Sequence, residues 1–139
     1  MLSPDGHWIS YVSDESGRLE VYVRPFPGPG GKWQVSTDGG SEVTWSPKGN
    51  ELFYRTGNQR EKMMVVEIRT QSTFSAGKPR LLFEGSYVAG AGGGAQYSVS
   101  PDGQRFLMTK APEQQQSALT QINVVLNWFE DLKKKVPVK

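Results

Sequence analysis

Ser3-Pro4-Asp5-Gly6-His7-Trp8-Ile9-Ser10-Tyr11 is the first of three segments in this chain that align without gaps. The second is Ser46-Pro47-Lys48-Gly49-Asn50-Glu51-Leu52-Phe53-Tyr54, and the third is Ser100-Pro101-Asp102-Gly103-Gln104-Arg105-Phe106-Leu107-Met108. Their first residues stand at positions 3, 46 and 100, so the spacings are 43 and then 54 residues. A four-stranded propeller blade takes roughly 40–50 residues, and the second spacing is the same unit with insertions.

Each segment opens with residues that favour a tight turn. Proline fixes φ near −65° at the second turn position, aspartate can bond the backbone amides that follow, and glycine takes the positive φ that closes the turn. Lys48 replaces the aspartate in the second copy, which weakens that bond but leaves the proline and glycine in place. The predicted structural turn residues are Ser3, Pro4, Asp5, Gly6, Ser46, Pro47, Gly49, Ser100, Pro101, Asp102 and Gly103.

Apolar residues follow each turn at alternating positions, which is typical of strands. Strands are predicted over residues 8–13, 20–24, 33–36, 42–46, 52–56, 63–69, 80–84, 96–100, 106–110 and 122–126, with residues 1–3 the stub of another. Near the end of the chain, Val125, Trp128, Phe129 and Leu132 share one face of a short predicted helix.

These signals predict an all-β protein, a partial β-propeller of about three four-stranded antiparallel blades, with the first and last incomplete and a short C-terminal helix. The blades are expected at residues 1–37, 41–84 and 95–126, and the helix and tail at 127–139. A closed ring needs about four blades or more, so two apolar blade faces would stay open. Either a homodimer completes the ring, or the chain is part of a larger ring.

The composition is that of an ordinary globular domain, with 22% charged and 36% hydrophobic residues. Four of the 16 basic residues lie within residues 133–139, so residues 1–132 carry 12 basic against 14 acidic side chains. This balance gives no basic surface, and we expect no nucleic-acid partner. No apolar run approaches the roughly 20 residues of a membrane-spanning helix, so we expect no membrane insertion by this chain.

The residues offer no catalytic, cofactor or metal site. Cysteine is absent, His7 is the only histidine, and no Gly-x-Ser-x-Gly motif occurs. The neighbouring carboxylates Asp14 and Glu15 lie in a polar loop, and no calcium-loop pattern is present. We therefore expect a protein that is not an enzyme and uses no cofactor or metal, with ligand-binding residues that the sequence leaves unknown.

Two biased segments are interpreted as connections. Residues 90–95 are rich in glycine, but a strand pattern follows where a phosphate-binding loop needs a helix, so a flexible loop is favoured. Residues 25–29 are rich in proline and are expected to connect two strands rigidly, a polyproline ligand being the alternative. The aromatic residues on the strands are expected to fill the space between blades, with a sugar-stacking surface as the minority interpretation.

The triplets Val21-Tyr22-Val23 and Trp45-Ser46-Pro47 resemble the TolB-type propeller repeat, and the resemblance covers residues 1–110. Four further segments are similar to the C-terminal, extracytoplasmic propellers of bacterial receptor serine/threonine protein kinases of the acidobacterial type. These segments are residues 23–36, 81–85, 102–107 and 123–129.

The narrower resemblance implies a sensor domain, on the extracytoplasmic or periplasmic side of a bacterial membrane, that binds a protein or small-molecule ligand. No glycine-rich nucleotide loop, His-Arg-Asp loop or Asp-Phe-Gly motif of a kinase is present in this chain. A TolB-like periplasmic scaffold that docks proteins is one alternative. The gating propeller of a prolyl-oligopeptidase-type hydrolase is another, and it would need a hydrolase domain that this chain lacks.

Overall fold

The computed structural model describes residues 1–70, 73–90 and 94–110. The predicted strand at 122–126 and the predicted C-terminal helix lie outside the described residues. The described ranges contain strands and no helix. The strands are β1 (Trp8–Ser13), β2 (Glu20–Pro25), β3 (Trp33–Gln34), β4 (Ser41–Trp45), β5 (Glu51–Thr56), β6 (Lys62–Arg69), β7 (Ser75–Ala76), β8 (Arg80–Glu84), β9 (Tyr97–Val99) and β10 (Phe106–Met108).

The strands form three antiparallel sheets, none of which is closed. The first sheet has the order β1-β2-β3, and Leu2 extends it through an isolated bridge to Ile9. In the second sheet, β4, β5 and β6 pair in sequence order, and both β7 and β8 pair with β6. The third sheet pairs β9 with β10, and Tyr87 forms a bridge to Lys110 beside it. This all-β architecture is compatible with partial propeller blades.

The strand predictions inside the described ranges are confirmed, apart from shifts of one or two residues at their ends. The largest differences are in β3, which ends at Gln34 rather than at residue 36, and in β10, which ends at Met108. Beyond β3, the Val35 amide still donates to the Val21 carbonyl, but the Ser36 hydroxyl then accepts from the Val21 amide. A side chain thus replaces the backbone ladder there. The short strand β7 was not predicted.

The second sheet is packed on both faces by its neighbours. Leu52 and Tyr54 of β5 belong to a buried apolar cluster that also contains Val21 and Val23 of the first sheet. Phe53, between them in sequence, lies in a second cluster with residues of the third sheet. Successive side chains of a strand point to opposite faces, so β5 contributes to both junctions.

Aromatic side chains fill both junctions, as the sequence predicts. Trp8 and Trp33 of the first sheet meet edge to face with ring centroids 5.7 Å apart, and Phe74 lies 5.0 Å and 4.9 Å from them. At the other junction, the ring of Phe106 stands perpendicular to that of Phe53 at 4.9 Å. Such offset or perpendicular contacts suit the charge distribution of aromatic rings.

The three Ser-Pro-x-Gly turns share one hydrogen-bond scheme. In each, the glycine amide donates to the serine carbonyl three residues earlier at 2.8–2.9 Å, and the glycine has φ between 73° and 75°. The serine hydroxyl in turn accepts from the backbone amide five residues later, at 3.0, 3.1 and 2.9 Å. The glycine is needed because side-chain-bearing residues rarely adopt this φ.

The second turn restores the side-chain bond that Lys48 cannot make. In the first and third turns the serine hydroxyl donates to Asp5 and Asp102, which also accept from the backbone amides two residues on. In the second turn the Ser46 hydroxyl donates to Oδ1 of Asn50 at 3.1 Å. An acceptor is therefore present in all three turns, although its position in the sequence changes.

Candidate functional site

A cavity of about 760 Å³ lies where the three sheets approach one another. Its walls are formed by residues 10–12 of β1, residues 43–45 of β4 and residues 97–99 of β9, together with residues 94–95. Met1 and Pro47 complete the lining. Each sheet therefore contributes one wall.

None of the side chains that line this cavity is charged. Hydroxyl groups come from residues such as Ser10, Tyr11 and Ser98, and the remaining surface is largely aliphatic or aromatic. The α-ammonium of Met1, which donates to the Ser10 carbonyl, is the one ionised group on a lining residue. A charged ligand would lose its hydration here without gaining a side-chain partner of opposite charge, which is costly. The lining side chains thus suit an uncharged ligand and supply no carboxylate, imidazole or side-chain amine for acid–base catalysis.

One wall of the cavity begins at an unusual backbone position in β4. A β-bulge lies between Ser41 and Thr44, and Glu42 within it has a φ of 53°, a value that non-glycine residues seldom adopt. The Glu42 side chain is fully buried. A strained backbone and a buried carboxylate at one residue need strong compensating contacts, and Glu42 has them.

The Glu42 carboxylate accepts hydrogen bonds at both oxygens. Oε1 lies 3.0 Å from Nη1 of Arg60 and 3.2 Å from the Gly90 amide. Oε2 lies 3.3 Å from Nη1 of Arg55 and 3.4 Å from the Gln96 amide. The carboxylate therefore joins the second sheet to the chain on both sides of residues 91–93.

Arg55 is as deeply buried as its carboxylate partner, with 1% of its side chain exposed. Its guanidinium donates from Nε to the Arg60 carbonyl at 2.6 Å, from Nη1 to the Val88 carbonyl at 2.9 Å and from Nη2 to the Tyr87 carbonyl at 3.1 Å. Every nitrogen of the guanidinium is thus used. We refer to Glu42, Arg55 and Arg60 as the Glu42 cluster.

Tyr97 connects the cluster to the cavity wall in β9. Its hydroxyl donates to the Glu42 carbonyl at 2.7 Å, while the residue itself lines the cavity. Burial raises the pKa of the Tyr97 phenol, and the nearby Glu42 carboxylate adds to this effect. The phenol therefore stays protonated and remains a hydrogen-bond donor at neutral pH.

A second buried carboxylate, Glu20, lies in the first sheet and does not line the cavity. It accepts from Nε of Arg18 at 2.6 Å, from the Gly39 amide at 3.0 Å and from the Ser36 hydroxyl. Burial alone would raise the pKa of Glu20, but the bonds from Ser36, Gly39 and Arg18 outweigh it and lower the pKa. All these contacts stay within residues 18–39.

Most of the predicted turn residues lie away from this site, and of that set only Pro47 lines the cavity. Ser3, Asp5 and His7 do come together in the first turn, with His7 Nδ1 3.7 Å from the Asp5 carboxylate. However, the Ser3 hydroxyl donates to Asp5 and not to the imidazole, so no base activates it. The Glu15 carboxylate is paired with Lys32.

Within residues 1–70, 73–90 and 94–110, no group of three or more acidic or histidine side chains is arranged to hold a metal ion. In the same ranges no helix is long and apolar enough to cross a membrane. No protein-family model matches the chain, and a search of curated proteins found no match.

Sequence reasoning missed the Glu42 cluster. The available signal was the position of Glu42 and Arg55 inside predicted strands that also carry large apolar residues. A charged residue in a buried strand requires a partner, and these two residues are 13 positions apart on neighbouring strands of one hairpin. Their further bonds to residues 87–96 have no counterpart in the sequence pattern.

Proposed function

We propose that this chain is a non-catalytic binding module, built from propeller blades, whose ligand occupies the cavity between the three sheets. The observation that carries the proposal is the cavity of about 760 Å³ whose lining side chains are all uncharged. This volume lies in the range of small-molecule and cofactor sites, which are concave and mostly apolar with a few polar groups. The ligand is accordingly uncharged, either a small molecule or a neutral segment of a protein.

The repeated turns support a propeller as the parent fold. Three Ser-Pro-x-Gly turns with one hydrogen-bond scheme directly precede β1, β5 and β10, one strand in each of three successive sheets. In propellers the innermost strands of the blades surround a central channel. The cavity walls contributed by β4 and β9 belong to the strands that precede these turns, which is the position expected of innermost strands.

The larger protein is, in this proposal, a membrane-bound serine/threonine kinase with the present domain as its extracytoplasmic sensor. The support for this part is the set of segments that resemble such propellers. The coding sequence that flanks this chain tests it: a kinase domain and a membrane span upstream are expected. A hydrolase domain downstream would instead indicate a gating propeller. A periplasmic protein without a kinase domain would indicate a scaffold that docks proteins.

Binding is tested directly with a library of uncharged probes, such as neutral sugars and N-acetylated, C-amidated tripeptides, screened by saturation-transfer NMR. Ser98→Trp fills the cavity from an exposed position, so it should abolish any signal that comes from the cavity. Ser75→Trp, on the exposed strand β7 and outside this cavity, is the matched control. Signals that persist in Ser98→Trp would contradict the proposed site.

A second copy of the chain is the other partner to test, because open sheet faces favour association. Light scattering on a sizing column measures the mass directly, and the chain alone has a mass of 15.4 kDa. A species of twice that mass would support a homodimer that completes a ring. A compact monomer would remove that hypothesis.

A further inference from the structure

Residues 87–90 and 94–97 are fixed to the second sheet mainly through charge-assisted hydrogen bonds. Tyr87 and Val88 contribute carbonyls to Arg55, and Gly90 contributes an amide to Glu42 and a carbonyl to Arg60. The Gln96 amide and the Tyr97 hydroxyl add two more bonds. Bonds to ionised groups are roughly twice as strong as those between neutral groups.

The second of these two ranges also forms one wall of the cavity. Gly94, Ala95 and Tyr97 line it directly, and the bonded residues Gly90 and Gln96 lie on either side of Gly94 and Ala95. On the facing side, Val43 and Thr44 follow Glu42 immediately in β4 and also line the cavity. A single buried carboxylate therefore holds two walls of one cavity at a fixed separation.

We propose that the Glu42 cluster is a positioning device that holds the cavity wall at residues 94–97 in place, so that loss of the Glu42 charge opens this wall without unfolding the first sheet. Removing one member of a buried ion pair leaves the other charged and without compensation. In Glu42→Gln, Arg55 would keep its three carbonyl acceptors but lose its counter-charge, which favours the entry of water. One of the amides of Gly90 and Gln96 would face an NH2 group, and the other would keep only a neutral acceptor.

The first sheet supplies a matched control. Glu20 is also a buried carboxylate with an arginine partner and a backbone amide donor, but all its contacts lie within residues 18–39. A general effect of neutralising a buried carboxylate should appear in both Glu42→Gln and Glu20→Gln. An effect specific to the wall should appear only in Glu42→Gln.

Hydrogen exchange by NMR or mass spectrometry on the whole chain measures the difference. In Glu42→Gln at least one of the amides of Gly90 and Gln96 should exchange about tenfold faster than in the wild type, which corresponds to the loss of one charge-assisted bond. The amides of Val21 and Val23 should be unchanged. In Glu20→Gln the Gly39 amide should exchange faster, and Gly90 and Gln96 should not.

A milder variant covers the case in which Glu42→Gln does not fold. Arg60 is 30% exposed and contacts both Glu42 Oε1 and the Gly90 carbonyl, so Arg60→Met should accelerate exchange at Gly90 by a few fold. Arg69→Met, which removes an arginine that is 80% exposed, should change nothing in this segment.

Unchanged exchange at Gly90 and Gln96 in a folded Glu42→Gln, or at Gly90 in Arg60→Met, would overturn the inference. So would an equal acceleration in all three sheets. The consequence for binding rests on the proposed function: a probe that binds the wild type should bind Glu42→Gln at least several-fold more weakly. If no probe binds the wild type, the proposed function fails, while the exchange result still decides the role of the cluster.

Discussion

The two junctions of the second sheet are held by different kinds of interaction. Its junction with the first sheet is a continuous apolar cluster that includes Val21, Val23, Leu52 and Tyr54, with Trp8 packed against it. Its junction with the third sheet combines a smaller apolar cluster with the buried charges of Glu42 and its arginine partners. Apolar burial is non-directional, whereas a buried ion pair depends on its geometry and on both partners. The third sheet is therefore the one whose docking a single change can release.

The largest expected effects come from adjacent residues of β5 that serve different junctions. Phe53→Ala should lower the free energy of unfolding by about 3–5 kcal/mol, and Leu52→Ala by about 2–5 kcal/mol, because both side chains are buried. Urea denaturation measures both losses. In hydrogen exchange, Phe53→Ala should first release amides of β9 and β10, and Leu52→Ala those of β2. Identical exchange patterns in the two variants would show that the junctions are not separate.

The ionic junction is tested by removing its arginine. Arg55→Met should destabilise the chain by about 3 kcal/mol, since it leaves the Glu42 carboxylate buried with one cation fewer and frees the carbonyls of Tyr87 and Val88. Arg69→Met is the exposed control and should change stability by about 0.5 kcal/mol or less. If thermal and urea denaturation gave the same loss of stability for both variants, the Glu42 cluster would not stabilise the chain more than an exposed ion pair does.

A steric change at Gly90 tests how closely the segment fits. A methyl group there would lie 2.7 Å from Gln96 Cγ and 2.9 Å from the Gly94 carbonyl oxygen. Gly90→Ala should therefore cost about 1–3 kcal/mol, as overpacking commonly does. Gly94→Ala has open space around the added carbon and should be nearly neutral. Calorimetry compares the two variants, and a neutral Gly90→Ala would mean that the segment is loosely held.

The second turn allows a smaller test that lies outside both junctions. Asn50→Ala removes the acceptor of the Ser46 hydroxyl and should cost about 0.5–1.5 kcal/mol. Adding Lys48→Asp to this variant should recover most of the loss, because it recreates the arrangement of the first and third turns. A double variant as unstable as Asn50→Ala, measured by urea denaturation, would show that the two acceptors are not equivalent.

The smallest expected effect is a dependence of stability on acid. Bonds from Ser3 and the His7 amide lower the pKa of Asp5, and bonds from Ser100 and the Gln104 amide lower that of Asp102. Their contribution is complete above the ordinary aspartate pKa of about 3.9 and is lost as the pH falls through the lower folded values. Thermal melts between pH 2 and 6 should show this slope, and Asp5→Asn with Asp102→Asn should reduce it, the remainder coming from groups such as Glu20 whose pKa is also lowered. An unchanged slope would contradict the assignment.

The strands and turns were predictable because their signals are local. Runs of apolar and aromatic residues such as Leu52, Phe53 and Tyr54, together with the recurring Ser-Pro-x-Gly turn, fix the position of each hairpin. Asn50 was missed as the acceptor of the Ser46 hydroxyl because it stands two positions after Lys48, where the other two turns have their aspartate. The prediction of a flexible loop at residues 90–95 lies partly outside the described residues, and at Gly90 the chain is bonded to Glu42 and Arg60.

The cavity and the Glu42 cluster could not be predicted because they depend on contacts between distant residues. The amide of Gln96 meets the carboxylate of Glu42 across 54 positions of the sequence. The β-bulge that places Glu42 leaves no mark in a pattern of apolar and polar residues. Sequence patterns specify which residues share a face, whereas the arrangement of three sheets around a cavity follows from their packing.

Native-state hydrogen exchange of the wild-type chain, measured against increasing urea, tests the difference between the two junctions most directly. The free energy of opening should be lower for the amides of β9 and β10 than for those of β2 and β5, with the third sheet exchanging through a partial unfolding. Glu42→Gln should lower the opening free energy of β9 and β10 and leave that of β2 and β5 unchanged. A single opening free energy shared by all these strands, lowered equally by Glu42→Gln, would contradict the account.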